Sequence, residues 1–109
     1  NIRVTRHWTP MTGNITCTIM VIEFVGDFVV HAQNAQVNFD AGDTSANVAI
    51  TEIDISKSIL FPRGFVSPDN VDPTIYKSYS DLEDSTHVRA RRHASGNVLY
   101  VMSTVIEFI

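Results

Sequence analysis

Four histidines, one cysteine and scattered carboxylates are the residues of this 109-residue chain that could carry reaction chemistry. The histidines are His7, His31, His87 and His93, and their spacing matches no zinc-ligand pattern. Cys17 has no second cysteine, so no internal disulfide holds the fold. It sits in an apolar alternating run, where a thiol behaves as a small buried hydrophobe. A nucleophilic thiol needs a neighbouring base and access to solvent, and the run offers neither. No Gly-x-Ser-x-Gly elbow is present, so the separate Ser, His and Asp residues do not define a hydrolase site. The expectation is a chain that is not an enzyme, with no catalytic residues, no metal and no cofactor.

Other constellations invite a binding reading, each beside a plainer one. Asp69, Asn70 and Asp72 supply oxygens of the kind calcium takes, without EF-hand spacing. The plain reading is a solvated turn stiffened by Pro68 and Pro73. Arg89, Arg91 and His93 alternate on one strand face, with Arg3 near the other end of the chain. They read as a solvated sheet face or as a basic stripe for an acidic partner or a neighbouring subunit. Trp8, Tyr76 and Tyr79 are sugar platforms in one reading and core or interface aromatics in the other.

Composition narrows the partners. A formal net charge of −4 argues against a general nucleic-acid coat, which carries a basic surplus. The longest apolar candidate, 15–30, is interrupted by Thr16, Thr18, Glu23, Gly26 and Asp27, so no membrane span is expected. The N-terminus has no signal-peptide apolar region. It also lacks an initiator Met, as a processed or truncated piece would. A hydrophobic fraction of 44% suits an ordinary globular domain of this length.

The elements that must position these residues are strands. Helical periodicity is nearly absent, while β-branched and aromatic runs alternate between Gly, Asn, Asp, Ser and Pro. Strands are predicted at 2–6, 15–25, 28–32, 35–40, 46–53, 75–79, 86–92 and 98–109. An apolar segment at 57–66 is interrupted at Pro62. The 15–25 strand is apolar on both faces: Ile15, Cys17, Ile19 and Val21 on one, Met20, Ile22 and Phe24 on the other. That pattern predicts a strand covered on both sides or one at a subunit contact. Ala41-Gly42-Asp43 predicts a hairpin turn, and Ala94-Ser95-Gly96-Asn97 separates the last two strands. Residues 67–73 form the clearest loop. Strands of this number and spacing predict an all-β fold, an antiparallel β-sandwich or barrel-like module.

The chain also repeats itself. Val21-Ile22-Glu23-Phe24 returns as Val105-Ile106-Glu107-Phe108, at 105 minus 21, or 84 residues on. Gly13-Asn14 returns as Gly96-Asn97, and Arg6-His7 as Arg92-His93. The simplest account makes 1–109 a single β domain in which 1–25 is the tail of a preceding repeat and 26–109 a fuller copy. The two Val-Ile-Glu-Phe strands are then expected to lie beside or facing each other. The echo would also let His7 and His93 approach as a shared metal site, against the plainer reading of solvent-facing strand histidines.

Two stretches carry a family resemblance. The first is Ala41-Gly42-Asp43-Thr44-Ser45-Ala46-Asn47-Val48-Ala49-Ile50, followed by Asp54, Lys57-Ser58 and Phe61. The second is Val88-Arg89-Ala90-Arg91, then Ser95-Gly96, then Val105-Ile106-Glu107-Phe108. In this order they resemble a structural repeat of tailed-bacteriophage and prophage virion proteins. The resemblance spans roughly 35–109; Pro62-Arg63 and the 67–73 loop depart from it. It implies a virion location and a capsid-decorating or tail-associated module working by packing. The expected partners are other virion proteins, as a homo-oligomer or on a capsid or tail surface. The expected interface residues are Met20, Ile22, Phe24, Arg89, Arg91 and Phe108. The alternative is a receptor- or glycan-binding tail-fibre module.

Overall fold

The computed structural model describes Ile19, residues 21–67 and residues 77–109. Six strands build it: β1 (Val29–Phe39), β2 (Ser45–Ala49), β3 (Ser58–Val66), β4 (Ser78–Asp84), β5 (His87–Arg92) and β6 (Leu99–Phe108). The only helical piece among the described residues is a 3-10 turn, Ile55–Lys57. The strands form two antiparallel three-stranded sheets, ordered β1-β6-β3 and β2-β5-β4. The protein is therefore an all-β, sandwich-like module.

Alternation explains which residues fill the space between the sheets, because neighbouring side chains leave a strand on opposite faces. Ala35, Val37 and Phe39 of β1 point inward, as do Val88 and Ala90 of β5 and Leu99, Val101 and Val105 of β6. Ile53 joins them from the segment after β2. The central strands β5 and β6 alternate most cleanly, since each has a partner on both sides.

The pairing is nested: β1 pairs with β6 and β2 with β5. This is the winding of a jelly roll cut to six strands. It corrects the hairpin expected at Ala41-Gly42-Asp43. The turn is present, with the Asp43 amide donating to the Asp40 carbonyl at 3.0 Å, but it carries the chain from one sheet to the other. The segment 93–98 makes the same crossing between β5 and β6. In sequence such joins look local, because apolar alternation on either side of a Gly turn is alike for a hairpin and for an arch. In an arch, each strand shows its apolar side to the same core from opposite sheets. The hairpin within a sheet is β4–β5, turning at Ser85-Thr86.

Other boundaries also shift. The strands expected at 28–32 and 35–40 are one strand, β1, with a register irregularity between Val29 and His31. The strand expected at 46–53 ends at Ala49. The segment 57–66 is continuous as β3, with an irregularity between Pro62 and Gly64. An edge strand tolerates Pro62 because one side of its ladder is unpaired, and Gly64 takes φ +129° at the irregularity.

The long strand expected at 15–25 is corrected most. Among its described residues, Ile19 and 21–25, none is in a strand. This stretch lies against the face of a sheet rather than along an edge, so it has no ladder to join. The 2–6 strand, His7, Trp8, Cys17, Met20, Tyr76 and the Asp69-Asn70-Asp72 cluster lie outside the described residues.

Candidate association surface

The outer face of the β1-β6-β3 sheet is built by the second half of each alternation. Strand β6 turns Met102, Thr104, Ile106 and Phe108 outward, between Asn34 and Gln36 of β1 and Ile59 and Phe61 of β3. The β1 side is polar, and the Thr104 hydroxyl donates to Asn34 Oδ1 at 2.9 Å. The β3 side is apolar. There Phe61, Pro62 and Ile106 line an open hollow whose other wall is Ile19, Ile22 and Phe24.

The N-terminal arm, residues 21–25, thus rests on this face. Its best contact is Phe24 against Phe108, ring centroids 5.4 Å apart at 63°. Such an edge-to-face pair adds about 0.5–1.5 kcal/mol beyond the area it covers. The other side of the arm is uncovered: Val21 is 71% and Val25 78% exposed. Phe28, Val30 and Ile109 continue the apolar surface, each at least 60% exposed. Gly26 joins arm to sheet at φ +103°, where a Cβ would sit 2.7 Å from the Phe28 ring. Only glycine meets both demands. Beyond it the chain is tied down at once, the Ile109 amide donating to the Phe28 carbonyl at 2.9 Å.

Of the interface residues expected from sequence, Ile22, Phe24 and Phe108 come together here. Arg89 and Arg91 do not; they lie on the outer face of the other sheet. There the arginines are already matched. Arg89 grips Asp81 with two bonds, Nε to Oδ1 at 3.1 Å and Nη2 to Oδ2 at 2.6 Å, and reaches Glu83 Oε1 at 3.2 Å. Arg91 shares Asp81 Oδ2 at 3.2 Å and stacks over Tyr79 at 5.7 Å. Asn47 Nδ2 donates to the second Glu83 oxygen at 2.9 Å. The stripe is a charge-paired ladder across β5 and β4. The sequence carried its signal: acidic-x-acidic, a two-residue turn, then basic-x-basic.

Arg92 was noted only as part of the echo, and it faces inward. It is 4% exposed, and its guanidinium donates to the carbonyls of Asp43 (2.6 Å), Asn97 (2.5 Å), Asp40 (2.8 Å) and Ala41 (3.4 Å). It also lies 4.9 Å from the Phe39 ring centroid. One side chain therefore clasps two of the inter-sheet crossings, β1 to β2 and β5 to β6. A planar five-donor fork suits this task; an ammonium does not.

A polar cluster forms at the β4–β5 turn. The Asp84 carboxylate accepts from the Thr86 amide at 2.7 Å and its hydroxyl at 2.8 Å. His87 Nδ1 lies 3.1 Å from both Asp84 oxygens and 3.0 Å from Thr86 Oγ1. One ring nitrogen faces both partners, whereas a proton relay uses two. Hydrogen bonds from the Thr86 amide and hydroxyl, and then His87, hold the Asp84 pKa down at about 2. Among the described residues no group of three or more His, Cys, Asp or Glu converges as a metal site. Nor is any helix long and apolar enough to cross a membrane. An open hollow beside Tyr79 is lined by Thr44, Lys77, Ser78, Arg92 and His93.

Comparison with known proteins leaves this geometry to stand alone: no family model, no curated protein and no solved structure matches the chain.

Proposed function

We propose that this chain is a non-enzymatic structural module of a tailed-phage virion, a capsid-decorating or tail-associated unit that works by packing against other virion proteins. The observation that carries the association half of this reading is the apolar surface of arm and sheet, with Val21, Val25, Phe28, Val30 and Ile109 turned to solvent. A monomer rarely leaves such side chains contiguous, and a patch of this kind marks an interface. The virion half rests on the sequence resemblance. A jelly-roll winding occurs in capsid and lectin domains alike and assigns neither by itself.

The test is copy number in purified particles. Hundreds of copies per particle are expected for a shell or tube component; absence from particles overturns the virion reading. The tail-fibre reading keeps one observation in its favour: Tyr79, 58% exposed, stands beside Lys77 and His93 in an open hollow. Binding on a glycan array that Tyr79→Ala abolishes would favour it.

A further inference from the structure

We infer that the Val21–Phe24 arm crosses to a second copy of this chain, filling the partner's hollow formed by Phe61, Ile106 and Phe108 and receiving the partner's arm in its own. The inference rests on the association half of the reading above and names the partner. Three observations carry it.

The first is fit. This sequence already lies on that face within one chain, through Phe24 on Phe108, with Ile22 and Phe24 forming the wall opposite Phe61 and Ile106. Whatever fits in cis fits in trans, because both sites belong to the same molecule. The second is the tether. The arm has no strand pairing, and Gly26, at positive φ, stands two residues before the Phe28 anchor. A rotation there moves the arm and leaves all six strands in place. The third is the uncovered side. Val105-Ile106-Glu107-Phe108, the same four residues, is flanked by β1 and β3 on both edges, and Val105 is 1% exposed. Val21 in the arm is 71% exposed. Reciprocal exchange about a two-fold axis lays each arm between two outer sheet faces, covering Val21 and Val25 as well as Ile22 and Phe24.

The experiment uses the full chain with Cys17→Ser as background. Phe24→Cys and Phe108→Cys are made in separate chains, co-refolded as a mixture and treated with a short bis-maleimide. The chain carrying both cysteines is the control for contact within one molecule. Ile22→Cys with Phe61→Cys repeats the design on the opposite wall, should either first variant fold poorly by circular dichroism. The expected result is a cross-linked heterodimer from the mixture, in a sample that sediments as a dimer or larger. Cross-linking in the double variant alone overturns the exchange. If that sample still sediments as an oligomer, the association reading survives through another surface. A monomer at every concentration, with no cross-link in the mixture, overturns both.

Discussion

Val21-Ile22-Glu23-Phe24 and Val105-Ile106-Glu107-Phe108 are chemically the same peptide in two settings. The second is the end of a central strand. Its backbone is paired on both edges, Val105 is sealed in the core, and Glu107 Oε1 accepts from the Asp54 amide at 2.8 Å. The first has the same β-propensity and the same alternation, yet it forms no strand. The difference teaches that a strand is set by its neighbours more than by its own residues. Isolated pairing is marginal in water, and two flanking strands turn the same peptide into a strand whose first valine is core.

The comparison breaks most visibly at its valines. Val105→Asp buries an unpaired charge between the sheets and should cost more than about 4 kcal/mol, or abolish folding. Val21→Asp should change the unfolding free energy of the monomer by less than about 0.5 kcal/mol. Urea denaturation measures both, and equal losses would show the arm to be part of the core. The arginines give the next largest contrast. Arg92→Ala takes the guanidinium donor from the Asp43 and Asn97 carbonyls, one at each of two crossings, and should cost about 3 kcal/mol. Arg92→Lys should recover little, since a point charge cannot bridge four carbonyls. Arg89→Ala removes partly exposed pairs and should cost about 1 kcal/mol or less.

The same contrast explains how much was legible beforehand. Alternation over 86–92 and 98–109 made these strands and the all-β class legible, because a period of two is written in the residues themselves. Pairing partners were not legible. Around Gly42, local sequence cannot distinguish a hairpin from an arch, since the partners of β1 and β2 lie about 40–80 residues further along. Arg92 entered only through the Arg-His echo, and its place one residue out of step with Arg89 and Arg91 is what turns it inward. Ile22, Phe24 and Phe108 were legible as a group through the echo. Their companions Phe61 and Ile19 were not, because β3 reaches this face through the fold rather than through any motif.

Smaller effects sharpen the picture. Ser103 sits in the middle of β6, 1% exposed, and its hydroxyl has no hydrogen-bond partner. Removing an unsatisfied buried hydroxyl without changing the backbone should help, so Ser103→Ala should stabilise by about 1 kcal/mol in thermal or urea unfolding. A loss instead would mean the hydroxyl has a partner. The two glutamates then repeat the valine contrast at low amplitude. Glu107→Ala removes the acceptor for the Asp54 amide and should cost about 0.5–1.5 kcal/mol, whereas Glu23→Ala should leave monomer stability unchanged.

The last effect concerns the turn that closes β4 on β5. Asp84 is solvent-exposed, but in the folded chain its carboxylate collects the Thr86 amide and hydroxyl, and its pKa falls from an ordinary value near 4 to about 2. A depressed folded pKa means the folded state holds the proton less tightly than the unfolded chain does. The resulting stabilisation is therefore complete above the ordinary carboxylate value and fades as pH falls toward about 2. Below that, folded and unfolded chains bind the proton alike and the contribution is gone. In the Asp84→Asn variant, unfolding between pH 5 and about 2 should lose part of its acid dependence, read as a flatter curve of melting temperature against pH. Protection of the Thr86 amide, taken relative to its intrinsic exchange rate at each pH, should fall in the wild-type chain over the same interval. An unchanged acid dependence in Asp84→Asn would place the titrating group elsewhere and leave Ser85-Thr86 held by the β4–β5 ladder alone.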